Sequence, residues 1–157
     1  MINMIISKTT PAEATELEII YKKAFESNVF PDNMIETEDS DEGEDLSPEV
    51  AIKRDDLTSL SIYHNGKLVG GAILDCTNFA KNKLERLFLS PAVHNQGLGY
   101  KAWKIIERDY SKKCGWTLKT PTCLMSNICF YVNKCGFHIV KVEDVGADRI
   151  GMFIFEK

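Results

Sequence analysis

The 157 residues, 44% hydrophobic and 27% charged, suffice to bury one core of ordinary domain size. A net charge of −4 argues against nucleic-acid binding, which needs a basic face for the phosphates. No run nears the ~20 apolar residues of a membrane span, and Met1-Ile2-Asn3-Met4-Ile5-Ile6 lacks the basic flank of a signal peptide.

The chain reads as one domain over residues 1–157. Residues 2–7 form a short apolar strand. Thr10-Pro11-Ala12-Glu13 then opens a helix, with Thr10 as cap and Pro11 at the first position. Leu17, Ile20, Tyr21, Ala24 and Phe25 recur at helical spacing on its apolar face, and Pro31 ends it. An acidic loop occupies about 34–47; within it, residues 36–45 hold seven carboxylates and no base, and the rest of the protein is slightly basic. Leu46-Ser47-Pro48-Glu49 starts a shorter helix. A hairpin follows, with strands at 59–63 and 68–74 joined through His64-Asn65-Gly66-Lys67, since Asn-Gly between apolar strands is a strong turn signal. A strand at 84–89 ends at Ser90-Pro91. A helix from 98 to about 112 puts Leu98, Ala102, Ile105 and Ile106 on one side. A strand at 116–120, a short helix at 126–134 stopped by Gly136, and strands at 137–143 and 150–156 complete the chain. The expected fold is mixed α/β, with an antiparallel start and a later strand–helix–strand crossover.

Cys76, Cys114, Cys123, Cys129 and Cys135 make an odd count without a Cys-x-x-Cys pair, which argues against a disulfide framework and a zinc site. Cys129 and Cys135 read as small buried hydrophobes. A reducing cytoplasm is the expected setting, with no metal.

The stretch richest in chemistry is Leu84-Glu-Arg-Leu-Phe-Leu-Ser-Pro-Ala-Val-His-Asn-Gln-Gly-Leu-Gly-Tyr100, where a strand runs into a loop with glycines at the mouth of a helix. A helix N-terminus leaves several N–H groups unpaired and carries partial positive charge, which suits a pyrophosphate. A dinucleotide fold wants a third glycine where this chain has Ala102, and a P-loop wants Gly-Lys-Ser/Thr where it has Gly99-Tyr100-Lys101.

His94-Asn95-Gln96-Gly97-Leu98-Gly99 resembles the acyl-CoA motif of the GNAT superfamily of N-acyltransferases, usually Gln/Arg-x-x-Gly-x-Gly/Ala. Asn127-Ile-Cys-Phe130-Tyr131-Val-Asn-Lys-Cys-Gly136-Phe137 is similar to its second signature, and the element order matches over essentially the whole chain. The resemblance implies a mostly antiparallel twisted sheet of about six to seven strands, splayed at the cofactor site and flanked by about four helices. It implies acetyl-CoA as acyl donor, held by Leu87, Phe88 and Leu89 of the strand, by His94, Asn95, Gln96, Gly97, Leu98, Gly99, Tyr100 and Lys101 of the loop and helix, and by Asn127 and Phe130. His94 stands where the family carries Gln or Arg; a backbone contact survives that change, whereas a side-chain contact becomes pH-dependent.

The implied reaction is acetyl transfer to a primary amine of a small molecule or peptide by direct attack. Backbone N–H groups at Leu87 to Leu89 would polarise the carbonyl. Tyr131 is the candidate general acid, because a phenol near pKa 10 can donate to a thiolate whose conjugate acid lies near 8.5; otherwise it is an aromatic filling the helix-to-sheet core. Glu85, on the face of Leu87 and Leu89 by period two, is the candidate base; otherwise it is a strand carboxylate paired with Lys or Arg. Lys119 stands where some family members carry a glutamate, so a loop carboxylate or a water chain remain options for the base. The acidic loop would steer a cationic acceptor, or else be a solvated charge run. The expected partner is therefore an amine, not nucleic acid or membrane, met by a monomer or homodimer. The competing reading is a CoA-binding module without turnover that docks a protein partner.

Overall fold

The computed structural model describes residues 3–26, 46–111, 115–146 and 150–157. The acidic stretch at 36–45, Pro31 and Cys114 lie outside them. Within them the order is β1 (Met4–Lys8), α1 (Ala14–Glu26), α2 (Pro48–Ala51), β2 (Thr58–His64), β3 (Lys67–Asp75), β4 (Asn82–Leu89), α3 (Leu98–Asp109), β5 (Trp116–Pro121), α4 (Met125–Cys129), a π-helical turn (Phe130–Lys134), β6 (His138–Glu143) and β7 (Met152–Glu156). The strands form one sheet in the order β1-β2-β3-β4-β5-β7-β6, antiparallel except between β4 and β5. This is the mixed α/β architecture expected.

Helix α1 begins one turn later than its cap predicts. The N–H and Oγ1 of Thr10 donate to Glu13 Oε1 at 2.8 and 2.9 Å, but residues 11–13 form a turn and regular helix starts at Ala14. The Tyr63 hydroxyl donates to the other oxygen of Glu13, so the carboxylate that opens α1 also ties it to β2. Leu17 and Tyr21 are buried on β3 and β4 against Leu68 and Phe88, while Phe25 is exposed. Glu18 is also buried; its carboxylate accepts from Glu49 N–H at 3.0 Å, in the first turn of α2, where negative charge meets the positive end of the helix.

The other face of the sheet carries α3. Leu98, Ala102, Trp103 and Ile106 are its buried residues. Trp103, absent from the expected stripe, is the centre: its ring meets Trp116 and Phe137 at centroid distances of 5.1 Å each. We expect Trp103→Ala to lose about 3–5 kcal/mol of stability, through lost burial and an unfilled cavity; a denaturant midpoint unchanged from wild type would contradict this placement.

Of the described cysteines, Cys135 is buried as expected and Cys129 is exposed, a correction that follows from its place on the outer side of α4. Burial pushes the Cys135 thiol up to about 12, so it stays protonated and packs as a small hydrophobe.

Candidate active site

Strands β4 and β5 are paired at only two positions, Asn82 with Trp116 and Lys83 with Thr117. Beyond them β5 stays on β7 as far as Pro121, and β4 stays on β3 as far as Leu89. The two therefore part company midway. The cause is local: Ile73 faces Arg86 while Leu74 faces Leu84, so Glu85 is an extra residue in β4. Such a bulge bends its strand and increases the twist.

The bulge also overturns the period-two reading of Glu85. Leu84 and Leu87 both join the core cluster that contains Trp103 and Trp116, although strict alternation would put them on opposite faces. Glu85 is thus separated from the face of Leu87 and Leu89. It lines a cavity with Leu46 and Leu57, and its Oε1 pairs with Lys83 Nζ at 3.2 Å. Lys119, from β5, lines the same cavity and pairs with Glu143 at 3.5 Å.

Ser90 N–H donates to Val69 O at 2.7 Å, toward β3. Because peptide groups alternate edges along a strand, Phe88 also points to β3, and the N–H groups of Leu87 and Leu89 point into the opening beside β5. The ring of Phe88 is buried on the α1 side, 5.2 Å from Tyr21, so its side chain lies away from that opening.

The loop after β4 ends at α3. Gly97 takes a left-handed conformation, φ 73°, and no side chain caps the helix. Lys101 N–H is taken up by Gly97 O at 3.3 Å, and the amides of Leu98, Gly99 and Tyr100 lie in the first turn, ahead of any intrahelical acceptor. Asn95 is also left-handed, φ 63°, and Asn95, Gln96 and Gly97 are exposed. These amides, near the positive end of a helix whose first turn holds no acidic residue, fit a diphosphate. Lys101 sits beside them half-buried, and Tyr100 is exposed with Lys104 Nζ 6.0 Å from its ring centroid.

His94 is tied both to its own loop and to the end of β4. Its N–H bonds Pro91 O at 3.3 Å and its Nε2 lies 3.0 Å from Leu89 O. The residue stitches the loop back to the end of β4 and leaves the Leu89 N–H facing the opening.

The two sequence motifs meet in space. A Cβ on Gly99 would sit 3.4 Å from Phe130 Cζ and 3.7 Å from Leu89 Cδ1. Phe130 opens the π-helical turn, in which Cys135 N–H reaches back five residues to Phe130 O at 3.2 Å. Such wide turns often occur at functional sites. Tyr131 follows, half-buried against Phe130, Phe137 and Phe155 at centroid distances of 5.1, 5.8 and 6.1 Å. Burial raises its phenol pKa, the Cys135 side chain adds to the rise, and the nearby Arg86 guanidinium opposes it. Tyr131 therefore stays protonated near neutrality. Asn127, one turn earlier in α4, is half-buried and its side chain makes no hydrogen bond among the described residues.

Glu85, Arg86 and the amides of Leu87 and Leu89 thus border the opening from β4, while Gly97 to Tyr100, Phe130 and Tyr131 border it from the helices. Arg86 escaped the sequence reading, because only the bulge brings it to this position. Among the described residues no three His, Cys, Asp or Glu side chains converge as metal ligands, and no helix is long and apolar enough to cross a membrane.

A strand pair parted beside an uncapped glycine-led helix is the arrangement expected of an acyl-CoA-binding fold. The family model described as acetyltransferase (GNAT) family matches residues 15–137, and the chain belongs to that family. It is similar in fold to the PaiA N-acetyltransferase of Thermoplasma acidophilum in complex with coenzyme A, with a TM-score of 0.71, 22% identity and coverage of 99% of this chain and 98% of that one. The ribosomal-protein-S18-alanine N-acetyltransferase of Escherichia coli also has a TM-score of 0.71, at 16% identity over 98% of this chain and 92% of that one. In sequence, the chain is 45% identical over 84 residues to the uncharacterized protein YrkN of Bacillus subtilis (strain 168), a match spanning 51% of this chain and 45% of that protein.

Proposed function

We propose that this chain, acting as one cytoplasmic domain, transfers an acetyl group from acetyl-CoA to the primary amine of a small molecule or peptide. The observation that carries this reading is the conjunction of unpaired first-turn amides on α3, close to Phe130 and Leu89, with the opening between β4 and β5. Coenzyme A in the similar Thermoplasma acidophilum structure supports the choice of donor.

Each residue then has a task. The amides of Leu98, Gly99 and Tyr100 hold the diphosphate, and Gly97 lets the backbone approach it. Asn127 and the Phe130 ring flank the cofactor arm. The N–H groups of Leu87 and Leu89 donate to the thioester oxygen, stabilising charge that grows there during attack. The amine nitrogen forms its bond to the acyl carbon as the carbon–sulfur bond breaks. Tyr131 gives its proton to the sulfur, and the proton lost by the nitrogen balances it. Glu85, on the cavity side, deprotonates the ammonium directly or through water.

Thiol release from acetyl-CoA across a panel of primary amines is the test. Turnover with at least one amine is expected. Should every amine fail while CoA still raises the melting temperature, the chain would be a CoA-binding module instead. The same panel at low and high salt tests whether the acidic stretch at 36–45 draws cationic acceptors. Steering predicts a wild-type KM that rises with salt and a higher, salt-independent KM once the stretch is neutralised; unchanged, salt-independent values in both proteins would dispose of it.

A further inference from the structure

The cavity beside Glu85, of about 160 Å³, lies between the start of α2 and strands β4 and β5. Its charged lining is mostly basic: Arg54, Lys83, Arg86 and Lys119 against Asp75 and Glu85. Three of the cations have carboxylate partners. Arg54 pairs with Asp56 at 2.6 Å, Lys83 with Glu85 at 3.2 Å and Lys119 with Glu143 at 3.5 Å.

Arg86 differs. It is half-buried, and no carboxylate of the described residues lies within ion-pair distance of it. Its Nη1 donates to the carbonyl of the adjacent Glu85 at 2.6 Å. A guanidinium has five N–H donors in a planar fork, so most of its capacity faces the cavity unused by those residues. Asp75 does not supply the match, since its Oδ1 accepts from the N–H and hydroxyl of Thr77 at 2.9 and 2.6 Å. A half-withdrawn cation of this shape is matched best by a carboxylate in a bidentate pair. Its position completes the argument. Arg86 lines the cavity together with Glu85, the proposed base, so a group gripped by Arg86 is held beside the residue that takes the ammonium proton.

We propose that the acceptor carries a carboxylate as well as its amine, and that Arg86 binds that carboxylate and so selects the substrate. The volume equals that of about five liquid waters, which suits a small amino acid or the C-terminal residue of a peptide. This rests on the acetyl-transfer reading for its biological sense, but Arg86 can be tested separately from turnover. An amino acid with a basic side chain would satisfy both Arg86 at contact and the acidic stretch at long range.

The probes are alanine, β-alanine and lysine, each paired with its neutral-carboxamide counterpart. They are titrated calorimetrically into protein saturated with CoA and assayed for thiol release with acetyl-CoA. For at least one pair, wild-type protein should bind the acid about tenfold or more tightly than the amide, roughly what one charge-assisted pair contributes. Arg86→Met should abolish that preference while CoA affinity stays within about twofold, and Arg86→Lys should restore only part of it. Equal binding of acids and amides by the wild type, or a preference that survives Arg86→Met, overturns the proposal, and thiol release from the amides would then leave acetyl transfer standing. Conversely, an acid preference lost in Arg86→Met without thiol release from any amine would sustain the Arg86 site and remove the transfer reading.

Discussion

Gly99→Glu should weaken CoA binding by about 100-fold or more, some 3 kcal/mol, in a calorimetric titration. The residue lies in the first turn of α3, where its amide faces the position assigned to the diphosphate. A Cβ there meets Phe130 Cζ at 3.4 Å, tight but not prohibitive, so the methyl of Gly99→Ala should cost less than about tenfold in affinity. The glutamate adds a negative charge beside the anion and bulk between Phe130 and Leu89. Unfolding does not explain the loss, because a glutamate favours helix over glycine by roughly 0.5–1 kcal/mol, and the variant should melt no lower than wild type. Wild-type affinity in the glutamate variant would mean that the diphosphate is bound elsewhere.

Tyr131→Phe should lower kcat by about 100-fold and leave KM within about threefold, the pattern of a group that acts only in the transition state. The remaining phenyl ring keeps its contacts with Phe130, Phe137 and Phe155, so stability should hold. The raised phenol pKa adds a signature in pH. Tyr131 stays protonated throughout the neutral range, so no alkaline fall in the wild-type rate should arise from it below the ordinary tyrosine value of 10. Equal turnover by the two proteins would remove Tyr131 from proton transfer and leave it a core aromatic.

The glycine-led helix start was legible because an uncapped helix mouth next to a strand is a local property of the chain. The Asn65-Gly66 hairpin was legible for the same reason. Trp103 adjoins Ala102 at the edge of the expected stripe, and its full burial comes from Trp116 and Phe137, neither of which is near it in sequence. Phe88 lies between Leu87 and Leu89 in sequence, yet alternation along β4 sends its ring to Tyr21 on the opposite face.

The sequence by itself determined the elements, their order and the two motifs, since periodicity, caps and turns act over a few residues. It also determined which amides would lack partners at the start of α3. Only the tertiary structure decided that β4 and β5 separate after Lys83 and Thr117, that the bulge at Glu85 sends its carboxylate into a basic cavity, and that Arg86 lines the same cavity. The physical reason is that a bulge is defined by a mismatch between two strands. One strand's sequence holds the extra residue, but only pairing with its neighbour reveals which way every later side chain turns.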